Sequence, residues 1–160
     1  MGKHWHPFFI QWHKFMPYIS RTVKMKQTYI VETEDELACY AQQIADQCPR
    51  CCIIALHGDL GAGKTTFVKY LGKTWNIFNV KSPSFGIIDT HQGIRNLIHV
   101  DAYRLTNGNL VDFGLDDLCT PPFCLAIEWP ECLQQKLTYT FHLYFSILPN
   151  GTRKIIFESD

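Results

Sequence analysis

The spacing of apolar and polar residues predicts a strand and then a helix near the start of the ordinary part of the chain. Residues 28–31 (TYIV) suit a short strand. Apolar residues at helical spacing follow, namely Leu37, Tyr40, Ala41 and Ile44. Thr33 and Glu36 match a capping box, so we expect this helix to begin just after Thr33 and to stop before Pro49.

The middle and the end of the chain are predicted to add several strands. Residues 51–56 (CCIIAL) form an apolar run of strand length, and a helix with Phe67, Val68 and Leu71 on one face comes next. Further strands are predicted at residues 86–90, 97–103 and 123–129, with a loop and a short helix at 106–118.

A strictly alternating segment near the end predicts a half-buried strand over residues 138–148. Its apolar side chains point to one side of the strand, and they are Tyr139, Phe141, Leu143, Phe145 and Ile147. Residues 149–151 (PNG) are typical of a turn, so residues 154–157 are predicted to return as the second strand of a hairpin.

The segment between the apolar run at 51–56 and the helix after it carries the strongest chemical signal. Residues 58–65 (GDLGAGKT) fit the phosphate-binding pattern G-x-x-x-x-G-K-[ST], in the strand–loop–helix context that this pattern requires. Backbone N–H groups of such a loop and the helix N-terminus bind phosphate. Lys64 is expected to reach the β- and γ-phosphates, and the Thr65 hydroxyl is expected to ligate Mg²⁺.

These elements together predict an α/β fold with a P-loop NTPase-like central sheet. We expect the sheet to be mixed parallel and antiparallel, with a C-terminal hairpin and helices on its faces. In such sheets, functional groups lie at the carboxyl ends of the strands, beside the phosphate loop.

Charge is distributed unevenly, although the formal net charge of the 160 residues is +0. Five of the 15 basic residues precede Glu32, the first acidic residue, and the remaining chain therefore carries 10 basic and 15 acidic residues. Extended nucleic-acid binding by that part alone is not indicated. No apolar run reaches membrane-spanning length, so no membrane partner is expected.

The first 24 residues differ from the rest in being basic, aromatic and rich in histidine. They lack the long apolar core and the cleavage site of a signal peptide. We predict that residues 1–24 are an N-terminal extension or a misassigned start outside the fold. Residues 25–160 are then predicted to form a single P-loop ATPase domain.

Seven cysteines are present, an odd number in a chain with a nucleotide motif, which favours a reducing cytoplasm over a disulfide framework. A zinc site is the alternative, since Cys48 and Cys51 form a C-x-x-C pair and Cys119 and Cys124 would complete four ligands. The spacing between Cys119 and Cys124 is long for a zinc knuckle. Buried free thiols are the preferred interpretation.

Two carboxylates at predicted strand ends complete a hydrolytic arrangement. Asp101 and Glu128 each follow a run of apolar residues, as carboxylates beside a metal do in such sheets. Glu128 is the favoured Mg²⁺ partner, because its strand is the more apolar and should lie next to the loop strand. Asp101 is the favoured water-orienting group. We expect neither carboxylate in the apolar core.

Four motifs in one order resemble the bacterial TsaE family, also called YjeE. They are GDLGAGKTT at 58–66, KSPS at 81–84, HVDAYR at 99–104 and EWPE at 128–131. The resemblance covers residue 27 to the end. Ser84 stands where the family usually has Thr, and Ala102 stands where Leu is usual.

The resemblance implies a Mg²⁺-dependent ATPase that supports formation of the threonylcarbamoyl group on adenosine in the tRNA anticodon loop. It implies docking on the TsaD–TsaB complex, with tRNA contacted only indirectly through that complex.

The resemblance also implies roles for individual residues. Phosphates are bound by Gly61, Ala62, Gly63, Lys64, Thr65 and Thr66. Mg²⁺ is held by Thr65 and Glu128, and Asp101 is needed for hydrolysis. Ser84 belongs to a switch-like loop, Trp129 lies beside the nucleotide, and the segment around Thr33 lines the base.

Three other functions are weighed against this one. A small nucleotide or nucleoside kinase usually carries an arginine-rich lid, whereas Arg95 and Arg104 are the only arginines between the phosphate loop and Glu128. A nucleotide-gated, non-catalytic scaffold is a further alternative, against which the two carboxylates argue. A GTPase is disfavoured because the chain has no Asn-Lys-x-Asp motif for reading the base.

Overall fold

The computed structural model describes residues 24–83, 86–105 and 109–159. Seven strands are present in these ranges: β1 Met25–Val31, β2 Cys51–His57, β3 Ile88–His91, β4 Asn96–Asp101, β5 Phe123–Glu128, β6 Phe141–Ile147 and β7 Arg153–Ser159. The α-helices are α1 Glu34–Gln47, α2 Lys64–Thr74 and α3 Leu115–Leu118. Leu110–Phe113 and Pro130–Cys132 are short 3-10 helices.

The strands form one mixed sheet in the order β1-β7-β6-β2-β5-β4-β3. The strands β6, β2, β5 and β4 run parallel to one another at its centre. Antiparallel pairs close both sides, with β7 and β1 on one side and β3 on the other. The mixed α/β fold and the C-terminal hairpin predicted from the sequence are confirmed, as is the position of β5 next to the loop strand β2.

The predicted capping box starts α1. The Thr33 side chain accepts a hydrogen bond from the Glu36 backbone N–H at 3.2 Å, and the Glu36 carboxylate accepts one from the Thr33 N–H at 3.3 Å. The apolar face predicted for this helix is mostly correct, since Leu37, Ala41 and Ile44 are buried. Packing of this face, rather than helix propensity, supplies most of the stability of such a helix.

Apolar residues pack on both faces of the sheet in two clusters. The first lies between the sheet and the helices α1 and α2, and it includes Phe67, Leu71 and Phe157. The second lies on the opposite face, around Ile53, Val100 and Ile127. Because successive side chains of a strand point to opposite faces, β4 and β5 contribute alternate residues to each cluster.

Strand β6 is shorter than the alternating sequence predicted. It begins at Phe141, and Ile147 at its end is 51% exposed instead of packing with Phe141 and Leu143. Tyr139 lies before the strand and packs against the second cluster, whereas Phe141 and Leu143 belong to the first. Alternation predicts which residues share a face only within the strand itself, and it does not show where hydrogen bonding to neighbouring strands begins.

The four cysteines of the zinc alternative are divided between the two faces of the sheet. Cys124 belongs to the first cluster and Cys48 packs against it, whereas Cys51 and Cys119 belong to the second. In the described ranges, no three His, Cys, Asp or Glu side chains are arranged as a metal site requires. The zinc alternative is therefore not supported by this part of the chain.

No helix in the described part of the chain is both long enough and apolar enough to cross a membrane. Except for Lys24, the predicted N-terminal extension lies outside the described residues, and so does Ser84 of the predicted switch-like loop.

Candidate functional site: the phosphate loop and its carboxylates

The loop between β2 and α2 depends on glycines at both ends. Gly58 has φ +132°, and a Cβ atom there would lie 2.2 Å from the Phe145 carbonyl oxygen of β6. Gly63 precedes the first residue of α2 and has φ +108°, and a Cβ atom there would meet nothing within 4 Å. L-residues with side chains rarely adopt such φ values. The loop therefore passes close to β6 at its start and stays open at the helix N-terminus.

Lys64 is folded back onto the loop. Its Nζ atom donates hydrogen bonds to the carbonyl oxygens of Gly58 at 2.6 Å and Asp59 at 2.9 Å. The residue is 4% exposed. Burial lowers the pKa of Lys64 below its ordinary value, and the carboxylates of Glu128 and Glu131 act in the opposite direction. The ammonium group is thus held at the loop by carbonyl dipoles and nearby negative charge.

Glu128 lies against the first turn of α2. Its Oε1 atom accepts a hydrogen bond from the Thr65 hydroxyl at 2.7 Å, and the same oxygen lies 2.8 Å from Nε2 of His99. Glu128 is 3% exposed, so the expectation that this carboxylate would lie outside the core is wrong. A buried carboxylate is tolerated because these two groups replace its water contacts.

Asp101 lies beside Glu128 in the neighbouring strand. The two residues are direct partners in the parallel β4–β5 ladder. Asp101 is half-buried, and its Oδ1 atom accepts a hydrogen bond from the Tyr103 backbone N–H at 3.1 Å. It lines a cavity of about 270 Å³ together with Ser82, Pro83, Gly86, Ile87 and Arg104. The two carboxylates are therefore adjacent at the carboxyl ends of β4 and β5, on the same side of the sheet as the phosphate loop.

Trp129 has an unusual backbone conformation, and its ring lies against Lys64 of the loop. Its φ of 59° and ψ of 49° are left-handed, a region that costs a non-glycine residue about 1–3 kcal/mol. The Lys64 Nζ atom lies 3.9 Å from the centroid of the ring, close enough for a cation–π contact. Tyr103 packs on the same indole, with 4.9 Å between ring centroids.

Of the other residues predicted to bind nucleotide, most lie in the loop itself. Gly61 is exposed, Thr66 is half-buried and Ala62 is buried, and the Ala62 N–H donates to the Asp59 carbonyl at 3.2 Å. The Thr33 side chain serves as the helix cap described above. Its helix is linked to α2 by the hydrogen bond from the Tyr70 hydroxyl to Glu34 at 2.6 Å.

His99 is the site residue that the sequence reasoning missed. It is fully buried, and besides Glu128 it contacts the Lys81 carbonyl oxygen, which lies 3.2 Å from its Nδ1 atom. A signal for it was present, because it is a lone polar residue within an apolar strand and stands two positions before Asp101. Residues two apart in a strand share a face.

The sequence around this site matches a known protein family. Residues 31–155 match the family described as "Threonylcarbamoyl adenosine biosynthesis protein TsaE". This match covers well over half of the chain.

The chain belongs to the TsaE family.

Individual members of the TsaE family are similar in sequence to this chain. Among them are two proteins named tRNA threonylcarbamoyladenosine biosynthesis protein TsaE. The one from Aquifex aeolicus is 34% identical over 113 residues, 68% of this chain and 80% of that protein. The one from Synechocystis is 38% identical over 102 residues, 60% of this chain and 65% of that protein, just under two thirds of its length.

The fold also matches a solved structure. The crystal structure of Bacillus subtilis YdiB superposes with a TM-score of 0.65 at 25% sequence identity, and the match covers 86% of this chain and 88% of YdiB. Family membership and fold agree with the resemblance carried by the four motifs.

Proposed function

We propose that this TsaE-family chain is a Mg²⁺-dependent ATPase required for forming the threonylcarbamoyl group on adenosine in the tRNA anticodon loop. In this proposal it acts with the TsaD–TsaB complex in the cytoplasm and contacts tRNA only through that complex. Residues 25–160 act as one ATPase domain.

The contact between Thr65 and Glu128 carries this proposal. A hydroxyl oxygen and a carboxylate oxygen lie 2.7 Å apart at the N-terminus of α2, directly after a phosphate-binding sequence. Mg²⁺ prefers such hard oxygen ligands, and it is usually held by one or two carboxylates together with phosphate oxygens and waters. The donor set therefore fits this ion, with Thr65 and Glu128 as its protein ligands. Bound Mg²⁺ would neutralise charge on the β- and γ-phosphates.

Lys64 and the loop backbone supply the remaining phosphate contacts. The ammonium group donates to two carbonyl oxygens of the loop itself. In this proposal, β- and γ-phosphate oxygens replace these carbonyls as its partners. The backbone N–H groups at residues 61–66 and the α2 dipole favour the same anion. The Trp129 ring borders this position, which supports a place for it beside the nucleotide.

Asp101 is proposed to orient the attacking water. Its carboxylate is half-buried, stands next to Glu128 across the strand pair and lines an open cavity. A carboxylate there would be able to accept a hydrogen bond from the water that attacks the γ-phosphate. From the family resemblance, the segment around Thr33 is proposed to line the base of the nucleotide. Ser84 is proposed to belong to the switch-like loop.

The kinase alternative is weakened by the position of Arg95. Its guanidinium group donates to the Pro49 carbonyl and, at 3.1 Å, to the Cys48 carbonyl, near the start of β2 and far along the strand from the phosphate loop. It also packs over the Trp75 ring. Of the two candidate lid arginines, only Arg104 remains near the carboxylates. The scaffold alternative uses the same nucleotide site as the proposed ATPase but involves no ATP hydrolysis.

Measurement of phosphate release separates these functions. The wild-type chain is assayed with ATP and Mg²⁺ alone, and again with purified TsaD and TsaB. We expect slow release alone and a clear increase with the TsaD–TsaB pair. Phosphate transfer to a nucleoside acceptor would favour the kinase. Tight ATP binding without release under either condition would favour the scaffold and contradict the ATPase.

A further inference from the structure

His99 occupies the middle of β4 and is fully enclosed by protein. Its residue partners in the sheet are Asp89 of β3 and Ala126 of β5, and its relative exposure is 0%. Its immediate neighbours in the strand, Ile98 and Val100, are apolar and buried. An imidazole in such a place is costly unless its polar atoms find partners.

Both ring nitrogens of His99 face oxygen atoms that accept hydrogen bonds. Nε2 lies 2.8 Å from the carboxylate Oε1 of Glu128, and Nδ1 lies 3.2 Å from the carbonyl oxygen of Lys81. The ring thus connects the end of β5 with the segment that returns from α2 toward β3. These two parts of the chain have no covalent link near this point.

The contact to Glu128 completes a continuous series of polar contacts. The oxygen that faces His99 also accepts from the Thr65 hydroxyl at 2.7 Å. The series runs from the Lys81 carbonyl through His99 and Glu128 to Thr65 at the start of α2. A glutamate side chain has several rotatable bonds, and contacts from two sides restrict it to one orientation.

We propose that His99 is a positioning residue of the phosphate site, which holds the Glu128 carboxylate against Thr65 and ties it to the backbone at Lys81. This inference rests on the proposed function, because Glu128 is taken there as a Mg²⁺ ligand. Groups that orient a metal-binding carboxylate typically change metal affinity by about 10- to 100-fold when they are removed. A histidine that merely fills the core has no such effect on Mg²⁺.

Two amide substitutions separate the two contacts. In His99→Gln the side-chain NH₂ reaches roughly the place of Nε2, so the donor toward Glu128 is retained. In His99→Asn the NH₂ reaches roughly the place of Nδ1, so the donor toward Lys81 is retained, whereas Glu128 loses its contact with residue 99 and keeps only the one with Thr65. His91→Asn is the matched control, because His91 is a mostly buried histidine of β3 whose Nε2 atom lies 3.4 Å from Asp89 rather than beside Glu128.

The experiment measures binding of a fluorescent, non-hydrolysable ATP analogue by the full chain over a Mg²⁺ titration. We expect His99→Asn to raise the half-saturating Mg²⁺ concentration by about tenfold. His99→Gln and His91→Asn are expected to stay close to wild type. Affinity measured without Mg²⁺ is expected to be similar in all four proteins.

Three results would overturn the role of His99. One is a half-saturating Mg²⁺ concentration that is unchanged in His99→Asn. Another is an equal increase of that concentration in His99→Asn and His99→Gln. The third is unfolding of both variants in a thermal melt, which would make the ring a structural core residue. The wild-type titration tests the proposed function separately. If Mg²⁺ does not strengthen ATP binding by the wild-type chain, the proposed function is refuted, whereas the contacts of His99 are not.

Discussion

Replacing Gly58 by alanine tests the close approach between the phosphate loop and β6. The added Cβ atom would lie 2.2 Å from the Phe145 carbonyl oxygen and 3.1 Å from its carbonyl carbon, so backbone must shift. Gly151→Ala is the matched control. It also has a positive φ, +84° against +132°, but nothing lies within 4 Å of its Cβ position.

The expected loss of stability has two parts. A side chain at positive φ costs roughly 1–2 kcal/mol in either variant. Overpacking against Phe145 adds about 1–3 kcal/mol in Gly58→Ala alone. For a chain of this size 1 kcal/mol shifts Tm by about 2–4 °C, so we expect Tm to fall by about 10 °C in Gly58→Ala and by about 4 °C in Gly151→Ala.

Thermal unfolding followed by circular dichroism measures both variants. Gly58→Ala is also expected to weaken ATP binding, because the Gly58 carbonyl is one of the two acceptors that position Lys64. Equal falls in Tm for the two variants would refute the packing argument, since the left-handed backbone is all that they share. ATP affinity unchanged in Gly58→Ala would show that the loop absorbs the shift without moving Lys64.

Three further predictions concern single groups. Lys64→Ala is expected to lower ATP affinity by about 100-fold or more in a binding titration, because charge-assisted contacts to phosphate are lost; an unchanged affinity would contradict the assignment of the loop. Thr65→Ala and Glu128→Gln are expected to raise the Mg²⁺ concentration needed for ATP binding and to leave ATP binding without Mg²⁺ nearly intact. Equal losses of ATP affinity with and without Mg²⁺ would argue against both residues as Mg²⁺ ligands. In a thiol-labelling time course at neutral pH, exposed Cys39 should react promptly and Cys119 should react only after unfolding, because burial raises the pKa of Cys119 to about 12; fast labelling of Cys119 in the folded protein would contradict its burial.

Local signals predicted most of the fold. The cap at Thr33, the strand before the phosphate loop and the hairpin at residues 149–151 depend on residues a few positions apart, and the structure contains all three. The position of β5 next to β2 was also predictable, because the carboxylate that follows an apolar strand has to reach the loop. Boundaries were less accurate, as β6 shows, since they depend on hydrogen bonds to other strands.

The positions of the two carboxylates at the candidate site were predictable from the sequence, but their contacts were not. Asp101 and Glu128 were identified as strand-end carboxylates, and the structure brings them together. The buried Glu128 contacts His99, which is 29 positions away in the sequence. The lone histidine in an apolar strand is visible in the sequence, but its pairing with Glu128 is not. The left-handed backbone of Trp129 likewise has no signal in residue type, because non-glycine residues rarely adopt that conformation.

The rate of ATP hydrolysis by wild type and Asp101→Asn, each with the TsaD–TsaB pair, tests the proposed site most directly. Replacing the carboxylate by an amide keeps the shape of the side chain and removes its charge. We expect Asp101→Asn to hydrolyse ATP about 100-fold more slowly than wild type, because water orientation acts in the transition state. Its ATP affinity should be nearly unchanged. Hydrolysis by Asp101→Asn at the wild-type rate, or no hydrolysis by wild type with the pair present, would contradict the account.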